Sequence, residues 1–495
     1  MACFLPPNVL ARILNFTAPS PQLLSHQWLE RHQSAALRML LHDHLLVASG
    51  VCHLWREVAL TTPQLWTTIK LDLQFGGRIT SANGGYHNAV TAILPWVLKQ
   101  SAGLPLTLHL RIDSPSVVWS LLQPLLATSP RWKVADIRLS GDAKSSSWLL
   151  GVANQVPMLQ TLRVNSRDAM LLGHTPSMTT LYTTLPLPNF SSTTFETLYV
   201  HAEGRPAQVV HALHALAVHK HTVHLAIDML SNDALFPIRI PITTSYLTAL
   251  HLTLWDWTSS RFYAQDMLDA VLPQLYLPSL RVMSLLYYGR HHPVISPSAF
   301  VRFIECSEIS AVLRVLVLFN VAIGTAPSPN ATASWLAALP ALDRLSLSDM
   351  SPSTRSPRMG LAHPHGLVID SALLSLLSIR RRSETKRAPH TPLFLPRLRH
   401  LVLNTHLEGF TGDDLLALVR ARRTRVHACG AAPFQLEVNH FNTCAGGEIE
   451  SRMRDALKVL STQAGQGCVV GITRLAPEHE WTQVQSPWGE FWRVS

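Results

Sequence analysis

The residues from Pro340 to Leu347 read PALDRLSL, and this phrase carries the pattern that decides the fold. Its leucines follow an L-x-x-L-x-L spacing, and the last two alternate with polar residues. Such alternation predicts a short strand with one apolar face. Closely similar phrases begin at Pro157, Pro278 and Pro396. The chain therefore contains a repeating unit in which a proline and a leucine introduce a strand.

Short apolar segments of this kind recur through most of the chain, usually after a helical stretch, and between Leu139 and Leu347 they end 25 to 36 residues apart. This period and core resemble leucine-rich repeat solenoids, in which each unit adds one strand to a shared parallel sheet and returns through a helix. An ordinary α/β domain is the alternative, because its strands recur at a similar spacing. The predicted strands are 106–110, 137–139, 162–164, 198–200, 225–227, 252–254, 282–285, 316–318, 345–347, 401–403, 436–438 and 470–472.

Composition places the chain among globular proteins. Apolar residues make up 47% of its 495 residues and charged residues 15%, which excludes general disorder. Even the most apolar stretch, Leu268 to Tyr288, contains two prolines and an arginine, whereas a membrane helix needs ~20 uninterrupted apolar residues. The N-terminus lacks the basic and apolar regions of a secretory signal. We therefore expect a cytoplasmic or nuclear protein with no membrane partner.

Residue types that serve enzymes and metal sites are present, but not at the required spacing. The six cysteines include no C-x-x-C pair, and no acidic residue or cysteine lies among the histidines between His211 and His224. Phosphate-binding, dinucleotide-binding, zinc-protease and serine-hydrolase motifs are missing. We therefore predict no catalytic, cofactor or metal site, and the protein is not expected to be an enzyme. An unrecognised α/β hydrolase is the alternative from the enzyme class.

The sequence of residues 4–73 predicts a separate, mostly helical unit. Pro6 and Pro7 suit the first turn of a helix, and apolar residues follow at helical spacing. A later phrase, VCHLWREVA, begins at Val51, and PQLW begins at Pro63. We expect Trp55 and Trp66 to lie in the core of this unit.

These phrases, in this order and before a repeat region, resemble the F-box, and the whole chain is similar to fungal F-box proteins with irregular C-terminal leucine-rich repeats. Asn8 stands where an acidic residue is commoner, and about thirty residues separate Leu14 from Leu45, more than in the compact family form. The resemblance implies that an apolar helical face binds the Skp-type adaptor of a cullin–RING ubiquitin ligase. A generic helical cap on a solenoid is the alternative. The implied adaptor-binding residues are Leu5, Pro6, Val9, Leu10, Ile13, Val51 and Trp55.

We therefore expect an α/β chain with an F-box-like domain at 4–73, a leucine-rich repeat-like solenoid at 74–475 and a tail at 476–495. The implied function is substrate recognition in an SCF-type ubiquitin ligase, with an unidentified protein substrate held by the repeats. The alternative is a basic repeat scaffold that binds nucleic acid or acidic proteins without a role in ubiquitin transfer. Strand residues between the leucines, such as Thr253, Val317 and Ser346, are expected to be exposed on the concave side.

The basic charge is local. Thirteen basic and five acidic residues lie between Arg355 and Arg425, which accounts for +8 of the formal net charge of +10. Part of this charge falls in a predicted loop insertion at about 351–390, where the run from Arg380 to Arg387 is expected to be solvated. A nuclear-import signal and a contact with an acidic substrate are its alternatives. The arginines between Arg420 and Arg425 are expected to end a helix that begins near Gly412, where they would complement the helix dipole.

Overall fold

A computed structural model of the chain shows an α/β fold with a large parallel sheet and helices. The chain divides into two compact units, Met1–Tyr199 and Val200–Ser495. The structure describes residues 52–73, 94–112, 123–139, 151–152, 154–164, 175–184, 196–203, 222–229, 242–256, 263–288, 293–323, 335–348, 369–378, 394–405, 410–429, 433–441 and 468–475.

The described part of the first unit begins with one helix and one tight turn, which lead into parallel strands. Five strands pair in chain order, each with the next, and a sixth begins in this unit. The elements are α1 (His53–Thr61), a 3-10 turn (Pro63–Trp66), β1 (Thr68–Leu73), β2 (Leu106–Ile112), β3 (Trp132–Leu139), β4 (Thr161–Val164), β5 (Thr180–Thr184) and β6 (Thr197–Glu203).

In the second unit, eight parallel strands pair in the order β7-β9-β11-β13-β15-β16-β17-β18, and helices lie between several of them in the chain. Two short pairs, β8 with β10 and β12 with β14, lie apart from this sheet. The strands are β7 (Thr222–Met229), β8 (Ile242–Thr243), β9 (Ala249–Asp256), β10 (Leu275–Tyr276), β11 (Val282–Tyr288), β12 (Val294–Ile295), β13 (Val315–Phe319), β14 (Ala322–Ile323), β15 (Arg344–Ser348), β16 (His400–Thr405), β17 (Phe434–Phe441) and β18 (Cys468–Leu475). The helices are α2 (Tyr263–Val271), α3 (Pro297–Cys306), α4 (Ser371–Ser378) and α5 (Gly412–Cys429).

Two rows of apolar side chains cross the sheet of the second unit, because its strands pair without a shift in register. Every member of both rows is at most 3% exposed, so they form a continuous core. This confirms the predicted burial of leucines at alternate strand positions. One row contains Val223, Leu250, Met283, Leu316, Leu345, Leu401 and Leu436, and the other contains Leu225, Leu252, Leu285, Leu318, Leu347, Leu403 and Val438.

The same backbone hydrogen bonds recur where one repeat meets the next. The Thr248 carbonyl accepts from two consecutive amides, those of Arg281 and Val282, at 2.8 and 3.0 Å. The Arg281 carbonyl accepts in the same way from Arg314 and Val315. The pattern continues with the carbonyls of Arg314 and Asp343, and in the first unit with those of Gln160 and Thr179. Each strand therefore begins at an equivalent point of its repeat.

All twelve strands predicted from the sequence are present, but β1 and β5 of the large sheet and the four short strands β8, β10, β12 and β14 were not predicted. Strand β1 lies within residues 4–73, which were predicted to be mostly helical. Strand β5 lies between Val164 and Val200, the longest interval between predicted strands from Leu139 to Leu347. Its second inward position is held by Thr183, which is 2% exposed, in place of a leucine. Without that leucine, the alternation that predicts a strand is not visible.

The expected exposure of the residues between the leucines is wrong at two of three positions. Thr253 is 3% exposed and Ser346 is 8% exposed, whereas Val317 is half-buried. Along β9, Thr253 stands between His251 and Trp255, on the same side of the strand. The small residues on this face are therefore buried, and so are the larger side chains of His224, Leu286 and Phe319.

Helix α5 begins as the sequence predicts, with Asp413 and Asp414 in its first turn. The Asp414 carboxylate accepts from the amide and hydroxyl of Thr411, at 2.8 and 2.7 Å, and from the Ser371 hydroxyl at the start of α4. Partial burial raises the pKa of Asp414, but these hydrogen bonds outweigh that effect, so its pKa lies below the ordinary value. One carboxylate thus caps α5 and joins it to α4.

Candidate functional site

The turn that follows α1 packs a tryptophan against that helix. Pro63 begins the turn, and the Leu65 amide donates to the Thr62 carbonyl at 3.1 Å. The turn directs Trp66 inward, where it is 2% exposed and its indole N–H donates to the Ala59 carbonyl at 2.7 Å. Burial of Trp66 was predicted from the sequence and is confirmed.

Of the seven residues implied to bind the adaptor, only Trp55 lies within the described residues. It is half-buried on α1 rather than in the core, where it was expected, whereas Val58 and Ala59 of the same helix are buried. Nearby apolar surface remains accessible, because Leu60 and Trp96 are each 39% exposed. The Trp96 ring lies 5.0 Å from that of Trp66, at an interplanar angle of 79°. Outside the described residues lie Leu5, Pro6, Val9, Leu10, Ile13 and Val51.

In the first unit, polar and aromatic residues form a row between the apolar positions of the sheet. The register aligns Lys70 with His109, His109 with Asp136, Asp136 with Arg163, and Arg163 with Tyr182. Because paired residues of a parallel sheet point to the same side, these five side chains share one face. Each strand therefore contributes a side chain of a different chemical type to this row.

The charges in this row are largely satisfied within it. Asp136 lies 3.5 Å from the Arg163 Nε and 3.6 Å from the His109 Nδ1, and the Arg163 side chain is 8% exposed. Tyr182 stacks on Tyr199 with ring centroids 3.8 Å apart, and burial together with a hydrogen bond to Tyr199 raises the pKa of Tyr182. The Arg163 cation is therefore compensated within the protein.

In the second unit, two histidines and a serine occupy neighbouring strand positions between the buried leucines. His224 and His251 stack with ring centroids 4.1 Å apart, and the His251 Nδ1 shares a hydrogen bond with the Ser284 hydroxyl at 2.9 Å. Burial lowers the pKa of His224 to about 2, with a further contribution from His251, and lowers that of His251 to about 4. Both imidazoles are therefore neutral at physiological pH.

An aromatic strip lies beside these histidines, further along the same strands. Trp255 and Tyr288 stack with centroids 4.3 Å apart, and Phe319 lies 5.2 Å from Tyr288. We call the surface formed by His224, His251, Ser284, Thr253, Leu286, Trp255, Tyr288, Val317 and Phe319 the aromatic face. It was not predicted as a site, although the aromatic residues at non-leucine strand positions were a usable signal.

Arg422 has a different role from the one predicted for its cluster. Helix α5 continues to Cys429, so Arg422 lies inside the helix rather than in its last turn, and it is 3% exposed. Its Nη2 donates to the carbonyls of Leu377 and Phe394 at 2.9 and 2.8 Å, and its Nη1 donates to that of Leu395 at 2.9 Å. The guanidinium therefore joins the end of α4 to the segment that precedes β16.

Within the part of the chain that the structure describes, no three His, Cys, Asp or Glu side chains come together as a metal site would require. Cys52 and Cys306 are exposed thiols. None of the helices in the described ranges is both long and apolar enough to cross a membrane.

Comparison with known proteins does not assign the chain to a family. No protein-family model matches the sequence, and no curated protein is significantly similar to it.

Proposed function

We propose that this protein is the substrate-recognition subunit of an SCF-type cullin–RING ubiquitin ligase. Its N-terminal unit binds the Skp-type adaptor, and its leucine-rich repeat-like solenoid binds a protein substrate. The receptor has no catalytic group of its own, because it acts by bringing the substrate to the ligase. It works in the cytoplasm, the nucleus or both.

The observation that carries this proposal is the passage from α1 to the sheet. Trp66 packs beneath α1, and Thr68 begins the first strand two residues later. A helix, a turn that buries a tryptophan and a repeat sheet thus follow one another directly. The phrases that resemble the F-box occur in this order, so the local structure supports the resemblance.

Repetition of the sheet supports the second half of the proposal. Equivalent hydrogen bonds at the start of successive strands, and unshifted rows of buried leucines, are properties of stacked repeats. Stacked repeats present long surfaces suited to protein partners. The alternative, a basic scaffold for nucleic acid, would need cations available to phosphate. Of the cations on the described strand faces, Arg163 is compensated by Asp136, Lys70 is half-buried and Arg344 is exposed at the start of β15, and the aromatic face contains no Lys or Arg.

Capture of the purified adaptor by the full-length protein tests the proposal. The double variant Leu5→Asp/Leu10→Asp should lose capture, because two charges on the implied apolar face oppose its burial. Met158→Asp is the matched control, since Met158 is 43% exposed in the repeat region and its replacement should leave capture intact. Retained circular dichroism would show that the repeats are folded. Capture by the double variant at the wild-type level would refute the F-box assignment.

A further inference from the structure

We draw no further inference here: the strongest candidate, the row of polar and aromatic side chains that runs across the sheet of the first unit from Lys70 to Tyr182, carries nothing because Asp136 and Arg163 compensate each other's charge within the row and nothing in the structure shows what covers it.

Discussion

Trp66 donates its indole N–H to the carbonyl oxygen of Ala59 across 2.7 Å, and this bond joins the turn after α1 to the last part of that helix. Ala59 is fully buried and Trp66 is 2% exposed, so both the ring and the hydrogen bond are shielded from water. The short chain between them is thereby fixed before it enters β1. A large ring and a buried hydrogen bond at one point make this turn a major source of local stability.

We predict that Trp66→Ala lowers the free energy of unfolding by about 3–5 kcal/mol, because it leaves a cavity and removes a hydrogen bond from a buried carbonyl. Chemical denaturation of the purified protein measures the loss. Trp66→Phe, which keeps most of the ring but not the donor, should cost less. Trp96→Ala is the control on an exposed ring and should also cost less. A near-neutral Trp66→Ala would contradict the burial of this side chain.

Arg422 supports a second prediction about stability. Replacing it by alanine should lower the free energy of unfolding by about 2–4 kcal/mol, because the carbonyls of Leu377, Phe394 and Leu395 lose a charged donor inside the protein. The planar guanidinium donates in two directions at once, so Arg422→Lys should recover only part of the loss. Leu395 adopts a left-handed backbone conformation with φ 47°, which adds strain at this junction.

Arg420→Ala provides the comparison, because Arg420 lies on the exposed side of the same helix. Its effect should stay within about 0.5 kcal/mol. Thermal denaturation of the three variants gives the order. Equal stability of Arg422→Ala and Arg420→Ala would show that the three carbonyls find other donors and that Arg422 does not join these segments.

Thr253 is a position where a substitution should stabilise the protein. Its hydroxyl is buried and has no hydrogen-bond partner among the residues that the structure describes. Thr253→Val keeps the shape and removes that polar group, so the melting temperature should rise or stay unchanged. Ser284→Ala is the matched change, because the Ser284 hydroxyl bonds to His251 and its loss should lower stability by about 1 kcal/mol. A marked loss of stability in Thr253→Val would reveal a partner for the hydroxyl.

The repeating strands could be predicted from the sequence because their signal is local. A leucine three residues before an L-x-L strand appears in several repeats, as at Leu342 and Leu345. Strand β5 was missed because Thr183 takes the inward position of a leucine, and a threonine does not reveal its burial in a sequence. The sequence pattern does not show which strand residues pair across the sheet, because pairing depends on the register of the strands.

The aromatic face shows the same limit at the level of the site. Trp255, Tyr288 and Phe319 are separated by about thirty residues each, and only the parallel register brings their rings together. The role of Arg422 could not be predicted either. Its hydrogen-bond partners are backbone carbonyls, which every residue has, so no residue type indicates them. Whether Leu5 and its neighbours form the adaptor-binding face stays a prediction, because they lie outside the described residues.

The stacked histidines should make stability depend on pH. At pH values below the ordinary histidine pKa of 6.5, the unfolded chain takes up protons at both positions, whereas the folded chain holds His251 neutral to about pH 4 and His224 to about pH 2. The unfolded state then binds more protons, so stability is complete above pH 6.5 and falls as the pH decreases. Each histidine contributes at most about 1.4 kcal/mol per pH unit in this range.

Denaturation curves between about pH 8 and pH 5 should therefore show a smaller loss of stability for His224→Phe than for the wild type, because phenylalanine keeps a stacking ring and does not titrate. The difference should reach on the order of 2 kcal/mol near pH 5. His53→Gln serves as the control, since the His53 side chain is 89% exposed and its replacement should leave the slope unchanged. Parallel curves for wild type and His224→Phe would mean that His224 is protonated equally in the folded and unfolded chains, which the enclosed stack does not allow.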